Sequence, residues 1–161
     1  MKTTILALLV SVFFASNAYA ADATGTVSAT VKAPIALSQT TPMAFGDVAP
    51  TGSAGTVVIA TGGGVSNTNV DIMGGTTSQG VFEVTGDGGA TYSVTLPTTA
   101  TLTGSVSGTM TVDNFNHDAG ATPTLGGGGS STLNIGATLN VGASQAAGSY
   151  TGTYTVTVAY N

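Results

Sequence analysis

From Thr24 to the C-terminus one pattern recurs. Apolar residues alternate with small or polar ones over a short run, and Gly, Pro, Asn or Asp then breaks the run. Alternation with period two places successive side chains on opposite faces of an extended chain, whereas a helix needs apolar positions three and four apart. Thr is the commonest residue and 24 positions are Gly, so the composition works against helix while Thr beside Val suits a pleated strand. The chain is constrained to be all-β.

The runs can be placed. Gly25, Val27, Ala29 and Val31 alternate with Thr24, Thr26, Ser28 and Thr30; after Pro34, Ile35 and Leu37 continue on one face. Short strands are predicted over Met43–Gly46, Thr56–Ala60, Val70–Met73, Val81–Thr85, Thr91–Leu96, Thr109–Phe115, Thr132–Ile135, Ala137–Val141 and Tyr150–Tyr160. Gly86-Asp87-Gly88-Gly89-Ala90 reads as a hairpin turn between two of them, and Asn116–Ser131, with four consecutive glycines from Gly126, reads as a long flexible loop. Many short strands at this spacing predict a sandwich or barrel in a single domain. No whole module repeats.

The beginning of the chain reads as an export leader. Lys2 is followed by an apolar run, Ile5 to Ala15, and by Ala18-Tyr19-Ala20, a small-x-small cleavage site. The run is shorter than the ~20 residues that cross a bilayer, so no membrane span is expected. Residues 1–20 are the expected signal peptide, 21–33 an N-terminal extension and 34–161 the β-sandwich domain. Without the leader, Lys32 is the one cation left against 7 Asp and Glu, which argues against nucleic acid or anionic lipid as a partner. With no cysteine, thiol catalysis and thiolate metal sites are excluded.

Little of the remainder carries chemistry. His117 beside Asp118 lacks a nucleophile in an activating context, and reads as a solvated loop histidine. Asp87, Asp113 and Asp118 lack the regular spacing of a calcium loop and read as turn formers. Gly62-Gly63-Gly64 precedes no helix, so it is no phosphate cradle. No enzyme, cofactor or metal is expected.

The two ends of the mature chain are more informative. In Gly148-Ser149-Tyr150-Thr151-Gly152-Thr153-Tyr154-Thr155-Val156-Thr157-Val158-Ala159-Tyr160-Asn161, the apolar residues Tyr154, Val156, Val158 and Tyr160 share one face, and tyrosine is penultimate. With Gly148 fourteenth from the end, this resembles the C-terminal signature of chaperone–usher pilins. The N-terminus is similar to the archaic and spore-coat-U-like subunits of that class: a Thr/Gly/Val-rich arm, a short strand and a Phe45-Gly46 corner. Where those subunits carry a cysteine after the arm, this chain has Ala33-Pro34-Ile35.

Over nearly the whole mature chain the sequence resembles a family of small exported bacterial proteins, domain of unknown function 4402. The resemblance rests on Met43-Ala44-Phe45-Gly46, Phe82-Glu83-Val84-Thr85-Gly86, Tyr92-Ser93-Val94-Thr95-Leu96-Pro97 and Met110-Thr111-Val112-Asp113-Asn114-Phe115. Its most specific part is Ile135-Gly136-Ala137-Thr138-Leu139-Asn140-Val141 with Gln145-Ala146-Ala147-Gly148-Ser149-Tyr150. It implies a secreted immunoglobulin-like β-sandwich and no activity.

Together these readings lead to an expected function: an exported fimbrial subunit that assembles by β-strand donation. Its sandwich would lack one strand and be completed by the arm of another copy. The donor face would be Gly25, Val27, Ala29 and Val31; the strand flanking the groove would carry Gly148, Tyr154, Val156, Val158 and Tyr160. The pilin resemblance implies a periplasmic chaperone and an outer-membrane usher as partners on the way to the cell surface. The alternative is a closed, monomeric secreted or surface domain with a binding or adhesive role, in which Thr24 to Val31 pairs within its own subunit. A carbohydrate- or metal-binding module is the third reading.

Overall fold

The computed structural model describes residues 19–161, so the predicted leader falls almost wholly outside the described residues. The chain divides into two units, Met1–Thr30 and Val31–Asn161. In the first, residues 19–30 are exposed and belong to no strand. The second unit is all strand and turn.

Its twelve strands are β1 (Ala36–Thr41), β2 (Ala44–Pro50), β3 (Gly55–Ile59), β4 (Val65–Thr68), β5 (Val70–Ser78), β6 (Gly80–Thr85), β7 (Tyr92–Thr95), β8 (Thr99–Gly104), β9 (Thr109–His117), β10 (Ser130–Val141), β11 (Tyr150–Thr151) and β12 (Thr157–Tyr160). Eight form one antiparallel sheet in the order β1-β6-β10-β9-β8-β11, with β3 and β4 added along the second half of β10. The other four form two separate two-stranded ribbons, β2-β5 and β12-β7, packed against it as a sandwich.

β10 is the spine. Its odd residues Leu133, Ile135, Ala137, Leu139 and Val141 are all buried, and they supply both hydrophobic clusters of the core. The first cluster unites Ala137, Leu139 and Val141 with Val57, Val70, Met110 and Val112, with Phe45, Val48 and Ile72 of the β2-β5 ribbon packed on it. The second unites Leu133 and Ile135 with Val84, Tyr92 and Leu125, under Val94 of β7 and Tyr154, Val156, Val158 and Tyr160 of the C-terminal segment. Full burial of each such aliphatic side chain contributes about 1.5–3 kcal/mol relative to exposure. The single period-two strand therefore supplies both halves of a core that is divided in two.

The structure departs from the sequence-based expectation in several places: β4 and β8 are additional strands, and the run expected over Tyr150–Tyr160 is interrupted from Gly152 to Val156. Predicted strands over Thr132–Ile135 and Ala137–Val141 are one continuous element, since Gly136 keeps the extended path while its missing Cβ leaves room for the Ile59 carbonyl, 2.5 Å from where a Cβ would stand. β6 and β7 are not a hairpin: β6 pairs with β1 and β10, whereas β7 pairs with β12, so Gly86–Ala90 carries the chain from one layer to the other. The predicted flexible loop is pinned. β9 extends to His117, Leu125 is 1 % exposed, and backbone bonds tie Leu125 to Gly89 and Ala90, and Tyr92 to Pro123. Thr24 to Val31, although alternating, forms no strand.

Candidate functional site: an open groove beside the β2-β5 ribbon

The layer facing the large sheet is incomplete. β2 and β5 bond only to each other, as do β7 and β12, so among the described residues both edges of each ribbon lack a ladder partner. The C-terminal strand leaves β8 after Thr151 and joins β7 at Thr157, and Gly152–Val156 between them belong to no ladder. An unpaired edge presents a row of free N–H and C=O groups, which is a template for another strand.

Between β2 and the segment Gln145–Tyr154 lies a groove of about 800 Å³. Met43, Phe45 and Val48 line one wall. Its floor is set by strand register: Ala100 opposes Val112 across β8 and β9, and Val112 opposes Leu139 across β9 and β10, so these side chains stand in one row. Leu102 and Met110 form the neighbouring row. Met43 and Phe115 touch both core clusters, so the groove opens where the two meet. Phe45, Val48, Ala100, Leu102 and Phe115 remain only half-buried.

Three tyrosines of the C-terminal segment pack along and below this groove. Near the upper end, the Tyr150 hydroxyl accepts from Gln145 Nε2 at 2.7 Å and donates to the Ala146 carbonyl at 2.6 Å, pinning the turn that closes the groove. In the middle, Tyr154 stacks at a tilt on Phe115, ring centres 5.2 Å apart, and meets Phe82 edge-on at 6.1 Å. Its hydroxyl abuts Gly80, is shielded from solvent and makes no hydrogen bond of normal geometry. Burial raises the Tyr154 pKa above its ordinary value; Gln39 nearby offsets part of that. At the lower end, the Tyr160 hydroxyl accepts from the Asp87 N–H at 2.6 Å and donates to the Ala33 carbonyl at 2.9 Å.

Of the candidate residues, Gly148 and Tyr154 line the groove. Val156, Val158 and Tyr160 pack in the second core cluster below it. All four apolar positions from Tyr154 to Tyr160 are half-buried, and Thr153, Thr155, Thr157 and Ala159 are exposed. Val27 and Val31 are 98 % and 96 % exposed, and Gly25 and Ala29 are exposed as well. Asp118 serves a turn: its carboxylate accepts from the backbone N and the Nδ2 of Asn134, at 2.9 and 2.6 Å. The groove floor was not singled out from the sequence. The signal was present in Thr99-Ala100-Thr101-Leu102-Thr103, an alternating run that forms β8.

The sequence profile of a family described as a domain of unknown function, DUF4402, matches residues 35–160. The chain belongs to that family. No curated protein and no solved structure gives a significant match. The family's match begins at Ile35, so the exposed segment before it lies outside the part that defines membership, whereas both ribbons and the groove lie within it.

Proposed function

We propose that this DUF4402 protein is an exported structural subunit of a surface filament, and that subunits join when the N-terminal arm of one copy adds as a strand to the groove of the next. One observation carries the reading. The sandwich has a groove with an apolar floor, flanked by the unpaired edge of β2 and by Gly152–Tyr154, which belong to no ladder, and the same chain carries an exposed, unpaired segment of matching period. Added strands are held by main-chain hydrogen bonds to the edges, while alternate side chains enter the apolar floor. Gly25, Val27, Ala29 and Val31 offer such a face, and the absence of charge from Ala23 to Val31 lets that stretch be buried at little desolvation cost. Export through the periplasm to the cell surface, with chaperone and usher as partners, belongs to the same proposal and rests on the leader and on the pilin-like termini.

Val27→Arg tests it. Val27 is exposed in the subunit, so the variant should fold with unchanged stability; its arm should fail to join, because an unpaired guanidinium buried between subunits costs several kcal/mol. Size-exclusion chromatography and negative-stain microscopy of the mature protein should show filaments or ladders of oligomers for the wild type and none for Val27→Arg. In mixtures the variant should still cap chains by accepting a wild-type arm. A wild-type protein that remains a monomer at every concentration, or a variant that unfolds, would overturn the reading in favour of a closed domain.

A further inference from the structure

The lower end of the C-terminal strand holds a second construction, separate from the groove. Tyr160 Oη takes the Asp87 N–H and gives its proton to the Ala33 carbonyl, while Lys32 Nζ donates to Asp87 Oδ2 at 2.7 Å. Gly86 makes this possible, since a Cβ there would collide with the Tyr160 hydroxyl. Two consecutive residues at the root of the arm are thus fastened to the corner between β6 and β7, and one of them is the only cation that follows the leader. Lys32 is exposed, and the Asp87 hydrogen bond and charge raise its pKa.

We infer that Tyr160 and Asp87 form a clamp on Lys32 and Ala33 that withholds the arm from its own subunit's groove and so reserves it for another copy. The inference rests on the strand-donation reading and concerns which groove the arm enters. Tyr154, the groove residue nearest the clamp along the C-terminal segment, is six residues from Tyr160, so the clamp lies at most about 20 Å along the chain from the groove. β1 leaves the clamp in the direction of Tyr154, with Gln39 beside that ring. To lie in its own groove the arm would have to double back along β1. Two-residue hairpin turns use residues of positive φ, and no glycine occurs between Gly25 and Gly46. A reversal here would take a longer turn through Lys32, Ala33, Pro34 and Ile35, and the clamp holds the first two. Without the clamp, the tether would supply the arm to its own groove at an effective concentration near the millimolar range, far above that of any neighbour.

A labelled synthetic peptide of residues 21–33 reads this directly, by fluorescence anisotropy with the mature full-length chain at low nanomolar concentration. Wild type and Val27→Glu/Val31→Glu, whose arm cannot donate, should bind the peptide with affinities equal to within about threefold, because neither groove holds its own arm. Releasing the clamp with Tyr160→Phe/Asp87→Asn should weaken peptide binding by about tenfold or more, since a self-supplied arm now competes. Adding Val27→Glu/Val31→Glu to the released chain should restore it, which also shows that its groove is intact. Three results overturn the clamp while leaving strand donation standing. They are wild-type binding much weaker than that of Val27→Glu/Val31→Glu, a released chain that binds as wild type does, and a released chain that the arm substitutions do not rescue. Peptide binding to none of the four chains would instead overturn strand donation itself.

Discussion

Tyr154 shows how one side chain couples packing to pH. Its ring joins Phe82 and Phe115 beneath the groove, and its hydroxyl, pressed on Gly80, has no partner. A buried hydroxyl without a hydrogen bond costs free energy, so Tyr154→Phe should be neutral or stabilising, within about 1 kcal/mol, in urea unfolding at neutral pH. The raised pKa has a defined consequence. The unfolded chain ionises Tyr154 near 10.0 while the folded protein keeps the proton, so the stability this group contributes is fully present below pH 10.0 and is lost as pH rises through the folded-state value. Denaturation midpoints measured from neutral to strongly alkaline pH should therefore fall above that point, and fall less steeply in Tyr154→Phe. A loss above about 2 kcal/mol at neutral pH would mean that the hydroxyl is satisfied after all.

At the scale of the element, the C-terminal strand has two parts with different tasks. Tyr150 and Thr151 bond to β8 of the large sheet, and Thr157–Tyr160 bond to β7 in the facing layer. The strand crosses between layers where Gly152 packs against the Thr101 carbonyl, a contact that leaves no room for a Cβ. Throughout, the apolar face stays inward, because a period of two survives a change of ladder partner. Val156→Asp places a carboxylate among Tyr92, Leu133 and their neighbours and should cost about 2–4 kcal/mol, whereas Thr155→Asp points to solvent and should change stability by about 0.5 kcal/mol or less. Thermal denaturation of the two variants checks this; equal losses would reject the facing.

For the whole molecule, the decisive feature is a layer divided into two ribbons above a core divided into two clusters. A strand seated between β2 and the C-terminal segment would make that layer continuous and cover Phe45, Val48 and Leu102, which now stand half-exposed. A second copy of residues 21–33 fused after Asn161 through a flexible linker would enter antiparallel to the last strand without needing a reversal at Pro34. Burying Val27 and Val31 in this way is worth a few kcal/mol before ordering costs, so the melting temperature should rise by about 5–15 °C and oligomers should give way to monomer. An unchanged melting temperature would mean that the groove does not accept this arm.

The sequence by itself determined the class of the fold. Alternation of Val, Ile and Leu with Thr permits only strands, and the same period identified the inward face of the C-terminal strand and of most others. Those are local properties, readable because a side chain's face depends on its neighbours along the chain. Pairing is not local. Gly86–Ala90 looks like a hairpin turn because its residues suit one, yet whether β6 and β7 bond to each other depends on β10 and β12, far away in sequence. The glycine-rich segment after His117 looks flexible because nothing nearby restrains it, and Leu125, buried against Tyr92 and Leu133, is what does. The groove is of the same kind: its floor comes from β8, β9 and β10, one wall from β2 and the other from Gln145–Tyr154, so no run of residues displays it. Thr24 to Val31 has the pattern of a strand, but a strand also needs a neighbour to bond, and among the described residues that segment joins no ladder.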